Sequence, residues 1–140
     1  MEKRRLIGIF DMLAAFVLEA LPFGVKLVLA PSPDETIVSM RSYFSLYPFF
    51  YGHIQPLIVA LLTSVLLVLW LCGMVFEAGE GFFKLVAVLS AAAAVICFSQ
   101  IPMGMSFTAV GTVINLLLAA SAALAIYEIR MIRRPNENRN

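Results

Sequence analysis

Residues 56–76 read PLIVALLTSVLLVLWLCGMVF, an uncharged run in which Thr63 and Ser64 are the only central hydroxyls. A helix rises about 1.5 Å per residue, so this run spans roughly 30 Å, the thickness of a bilayer's hydrocarbon core. Three further apolar blocks lie outward from it, at residues 6–30, 82–100 and 105–127. Composition agrees, since 61% of the 140 residues are hydrophobic and only 14% are charged, far from the usage of a soluble domain. The expected fold is all-α, an antiparallel four-transmembrane-helix bundle in one domain over residues 1–134, followed by a disordered cytoplasmic tail at 135–140. The four spans leave no room for a soluble catalytic domain.

The net charge of +1 says little, whereas its distribution orients the chain. Lys3, Arg4, Arg5, Lys84, Arg130, Arg133, Arg134 and Arg139 fall on one side of a four-span topology, against Lys26 and Arg41 on the other. The positive-inside rule then places both termini in the cytoplasm of a multi-pass cell-membrane protein. Lys3-Arg4-Arg5 before an apolar run imitates a signal peptide. The run is longer than an h-region, carries three ionisable residues and has Pro31 directly after its small-residue site, so it is expected to stay as the first span.

That first block holds the candidate site. Asp11, Glu19 and Lys26 are spaced by eight and seven residues, which on a continuous helix puts them within an arc of roughly 80°. A carboxyl group deep in a spanning helix is costly in lipid, so the stripe is expected to face the protein interior or a wet cavity. Pro22 should kink the helix beside Glu19 and free the carbonyl of Leu18. Asn115, halfway along the fourth block, is the expected hydrogen-bond partner of Glu19, with Lys26 as the competitor. Ala87, Ser90, Ala91 and Ala94 on the third block and Gly111, Asn115, Ala119 and Ala123 on the fourth form small-residue stripes through which those helices are expected to pack.

The connection at 31–55 is expected to lie outside. Ser32-Pro33-Asp34-Glu35 fits a capping box and predicts a short external helix from Pro33 to about Phe44. Tyr43, Tyr47, Tyr51 and His53 are candidate contacts of this loop, read chiefly as an interfacial aromatic belt. A lone histidine makes no metal site, so no metal or other cofactor is expected. Cys72 and Cys97 belong to opposite ends of their spans and cannot bridge. No Ser-His-Asp, Cys-His or H-E-x-x-H arrangement is present, so an enzyme is not expected. Nor is a nucleic-acid partner, since the basic residues are few and lack a stacking platform. The expected partners are the lipid bilayer and either further copies or another membrane protein.

The stretch SYFSLYPFFY at 42–51, between a charged first block and a Leu-rich second one, resembles small uncharacterised bacterial membrane proteins with four helices. That resemblance implies the fold and brings no activity. In size, and in Glu19 on its first span, the chain is also similar to small multidrug transporters, from which it departs in its longer segments and in Asp11 and Lys26. Two functions follow as expectations, first an accessory or structural membrane subunit, second a small proton-coupled transporter titrating at Glu19 with Asp11 as an inner relay.

Overall fold

The computed structural model describes residues 2–32, 35–45, 54–76, 78–99 and 106–137. Four helices, α1 (Glu2–Ala20), α2 (Gln55–Val75), α3 (Glu80–Phe98) and α4 (Ala109–Glu137), carry most of the chain, and three short strands join them, β1 (Val25–Ser32), β2 (Glu35–Arg41) and β3 (Ser106–Phe107). Helices α2 and α3, and α4 over Ala109–Arg133, are long and apolar enough to cross a membrane. The chain is a mostly helical membrane protein.

The helices pack in a ring, α1 on α2, α2 on α3, α3 on α4 and α4 back on α1. Each contributes one buried stripe at helical spacing, with Gly8, Met12, Ala15 and Glu19 on α1 and Gly111, Ile114, Leu118, Ser121, Ala125 and Glu128 on α4. Trp70, Phe83, Met12, Leu66, Ile114 and Leu118 fill the centre. The indole of Trp70 lies flat over Gly8, where a Cβ would come within 2.7 Å of the ring. Its Nε1 donates to Ser121 Oγ at 3.0 Å, and Ser121 Oγ is 3.2 Å from Ser90 Oγ, so the polar atoms at mid-core are mutually satisfied. The outer faces are the reverse, with Phe10, Val17, Leu61, Val68, Val88, Val95, Leu116 and Ile126 all exposed. An apolar girdle on that scale is suited to hydrocarbon rather than water.

Three expectations are overturned here. The block at 6–30 is not one span, because α1 stops at Ala20 and residues 25–30 belong to β1. Pro22 accounts for this, since a proline drives the residue before it out of the helical region and withdraws an N–H from the ladder. The external helix expected from Pro33 to Phe44 is instead strand β2. Thr36, Ile37 and Val38 form a β-branched run whose preference for extended backbone outweighs the capping box. β2 pairs antiparallel with β1, with Val25 opposite Arg41 and Val28 opposite Val38, and the register shifts between Leu29 and Ser32. β3 pairs with the other side of β1, giving the order β2-β1-β3. At the opposite end of the chain, α4 continues through Pro135 to Glu137, into the stretch 135–140 expected as a disordered tail, of which 138–140 lie outside the described residues.

The sheet is fastened to the helical core at the start of α4. Thr108 acts as N-cap there, its Oγ1 accepting from Gly111 N–H at 3.0 Å and donating to the carbonyl of Gly24 at 2.8 Å. One side chain thus starts a helix and holds the turn that precedes β1.

Candidate functional site

Glu19 occupies the last turn of α1 and is fully buried. Its position differs from the mid-span site expected, because α1 ends one residue later and the chain turns into the sheet. The carbonyls of a helix's last turn lack intrahelical partners. That of Glu19 is met by the backbone N–H of Tyr43 at 3.0 Å, just beyond β2. Glu19 is therefore where the helical core and the sheet meet.

Its side chain finds Thr63 on α2, whose hydroxyl donates to Oε1 at 2.8 Å. The same hydroxyl reaches the carbonyl of Val59 at 3.0 Å. A threonine hydroxyl has one proton. That one proton is shared between the two acceptors in a three-centre bond, or a protonated carboxyl donates to Thr63 while Thr63 donates to Val59. Glu19 Oε2 is buried with no hydrogen-bond partner, and Glu19 forms no ion pair among the described residues.

Tyr43 closes the site from above. It is 2% exposed, and its ring lies so tightly over Gly24 that a Cβ there would fall 2.6 Å from it. A Cβ on Gly111 would stand 3.2 Å from the Tyr43 hydroxyl. That hydroxyl is 3.8 Å from Cys97 Sγ, a weak contact between two buried groups. Burial pushes the Tyr43 hydroxyl well above its ordinary range, so it stays a neutral phenol. The expectation that Tyr43 is a contact exposed on an external loop is thus corrected, since an aromatic next to two glycines is used here as a plug. Tyr47, Tyr51 and His53 lie outside the described residues.

The other expected members of the site separate. Lys26 is on β1, paired with Met40 and Ser106, and shares no helix face with Glu19. Asp11 remains on α1, half-buried with Oδ2 unpartnered, about 12 Å of helix below Glu19. Asn115 does not pair with Glu19. It lines a shallow groove of about 400 Å³ on the α3–α4 surface with Ala94, Val95, Phe98 and Ser99. The small-residue stripes are corrected likewise, because Ala91, Ala119 and Ala123 are exposed while Ser90 and Gly111 are buried. A spacing of four drifts off the contact line of α4, which follows residues 111, 114, 118, 121, 125 and 128.

Sequence reasoning missed a second buried carboxyl. Glu128 is 1% exposed, and neither oxygen has a hydrogen-bond partner among the described residues. Arg4 Nη1 approaches to 3.9 Å, with the guanidinium over the Tyr127 ring at 5.0 Å. Arg5 donates to the carbonyl of Gly73 near the end of α2 and lies over Phe83. The available signal was the position of Glu128 in the core register of α4, three residues after Ala125. Cys72 and Cys97 are free thiols, half-buried and buried.

Comparison of the chain with known protein families, with curated proteins and with solved structures finds no match.

Proposed function

We propose that this protein is a non-enzymatic accessory or structural subunit of the cell membrane, a four-span bundle that holds a small sheet on its outer surface as a recognition element. The reading is carried by Glu19, placed at the joint between helix and sheet rather than on a path through the membrane. Its carboxyl is tied to Thr63 and its carbonyl to Tyr43 N–H, with Tyr43 filling the space above. Such an arrangement fixes the sheet rigidly on the core.

Helix α1 serves as the fourth span in this reading. It is about 28 Å long, and its outward face carries Leu6, Ile7, Phe10, Leu13 and Val17. Both termini are cytoplasmic, by eight basic residues against two, and Lys26 and Arg41 lie in the outer sheet. The partners are lipid and another membrane chain, which the sheet or the bundle surface would meet.

A proton-coupled transporter is the second reading, favoured by the unpartnered Oε2 of the buried Glu19. Purified protein in liposomes under a pH gradient separates the two. The accessory reading expects no proton-linked flux, and Glu19→Gln should leave assembly intact. A flux that Glu19→Gln abolishes would overturn it. For topology, an introduced cysteine at Asn138 that reacts with an impermeant reagent in intact cells, while one at Ser32 does not, would reverse the orientation.

A further inference from the structure

Strand β2 lies at the edge of the sheet, and among the described residues nothing pairs with its outer side. An exposed edge offers a row of backbone N–H and C=O groups to any strand that reaches it, and proteins usually blunt such edges with lysine, proline, a bulge or brevity. β2 is seven residues long, ETIVSMR, contains neither lysine nor proline, and is regularly paired with β1 from Ile37 to Arg41, the register shift of the pair being confined to the stretch between Leu29 and Ser32. Ile37, Val38 and Met40 are 53%, 55% and 51% exposed, so apolar side chains stand free on both faces of this edge.

We propose that β2 pairs antiparallel with β2 of a second copy, centred on Val38, to give one continuous sheet across two protomers. The strand is self-complementary in that register. Val38 lies opposite its own copy, Ile37 opposite Ser39, Thr36 opposite Met40, and position 35 opposite position 41. By sequence, position 35 is a glutamate and position 41 an arginine, whose Nε donates to Ser39 Oγ at 3.1 Å, so this register sets positions of opposite charge against each other at both ends of the ladder. An in-register parallel pairing would instead set glutamate against glutamate and arginine against arginine. The antiparallel arrangement is also isologous, as a two-fold dimer requires. A strand edge buries less surface than a stable soluble dimer needs, so the association depends on the membrane confining the copies and on their density. This inference rests on the reading of the sheet as a recognition element and names its partner as the chain itself.

The test is disulfide trapping of the full-length chain in liposomes at two protein densities, with the wild type, whose cysteines are Cys72 and Cys97, as control. Facing residues of an antiparallel pair have Cα atoms about 4.5–5.5 Å apart, within disulfide reach. Val38→Cys should give a linked dimer on mild oxidation. Ile37→Cys should link poorly alone, since the two copies of position 37 are staggered beyond about 7 Å, but well when mixed with Ser39→Cys copies. Arg41→Glu should lower the Val38→Cys yield severalfold, as should Glu35→Arg, and the two together should restore it. In every variant Cys97 should remain unreactive, which reports an intact fold. Equal yields from Val38→Cys, Ile37→Cys and Met40→Cys alone would mean random collision and overturn the proposal. So would a Val38→Cys that is shielded from a water-soluble maleimide without dimerising, because β2 would then lie in the headgroups. If trapping fails while the liposome assay shows no flux, the accessory reading survives with a different partner; if both fail, the reading falls as well.

Discussion

Each end of the helical core buries a glutamate, and the two ends treat it differently. At the end that carries the sheet, the outer one in the proposed orientation, Glu19 meets only uncharged groups among the described residues, the Thr63 hydroxyl and the Tyr43 backbone, under a tightly fitted phenol. At the opposite end, the inner one in the proposed orientation, Glu128 has a guanidinium nearby, that of Arg4 at 3.9 Å, while Arg5, the next residue along α1, is anchored on Gly73 and Phe83. The mid-core trio of Trp70, Ser121 and Ser90 lies between and is neutral. The outer end is therefore held by shape and the inner end by charge. Perturbations of size should damage the first, and perturbations of charge and salt the second.

The largest effect should come from Tyr43→Ala, which empties the space above Glu19. Truncating a buried aromatic costs about 3–5 kcal/mol in packed cores. We expect a loss of that order in thermal unfolding in detergent, accompanied by faster proteolysis within the sheet and little dependence on salt. Tyr43→Phe keeps the ring and gives up only a 3.8 Å contact to sulfur, so it should cost well under about 1 kcal/mol. A large loss with Phe would show that the hydroxyl, and not the ring, holds the outer end.

Arg4→Ala comes next. It leaves Glu128 buried without its cation, which for a fully buried pair costs about 3–5 kcal/mol. Arg4 is 37% exposed, and the 3.9 Å approach is long, so about 1–2 kcal/mol is expected after allowance for screening. Salt should narrow the difference between wild type and Arg4→Ala, and Glu128→Gln in the Arg4→Ala background should recover most of the loss. A salt-independent cost would mean that Arg4 matters through its packing on Tyr127.

How much of this contrast is legible in the chain follows from what each signal measures. Long apolar runs report hydrocarbon thickness, so α2 and α3 are readable to within a few residues, whereas α4 runs on to Glu137 past the end of its apolar block at 127. The first block fails because its composition is that of a span while Pro22 and Gly24 break it. Hydropathy does not distinguish a helix from an apolar strand that follows it. The capping box at 32–35 was a local signal outweighed by the β-branched run after it and by pairing with β1, a contact local patterns do not register. Glu19 was legible as a buried carboxyl but its partner was not, because Thr63 and Asn115 are equally plausible by depth and only the rotation of α2 and α4 decides between them. Glu128 falls just past the apolar block ending at 127, next to Arg130, Arg133 and Arg134, which read as a topology signal.

The smallest expected effect tests the contrast most directly. Glu19→Gln keeps the volume and the polar atoms facing Thr63, while Thr63→Val keeps the shape and removes the hydroxyl. A double-mutant cycle on this pair measures the Glu19–Thr63 interaction apart from packing. Between neutral groups in a membrane such interactions average about 0.6 kcal/mol. Hydrogen bonds to a charged group are worth about 1.5–3 kcal/mol. The single proton of Thr63 is divided between Glu19 and Val59, so for a neutral carboxyl a coupling below about 1 kcal/mol is expected. The same cycle on Arg4 and Glu128 should give the larger value, and only that one should shrink with salt. A coupling at Glu19 in the range for charged groups would show an ionised carboxylate, and the outer end would then be an electrostatic site like the inner one.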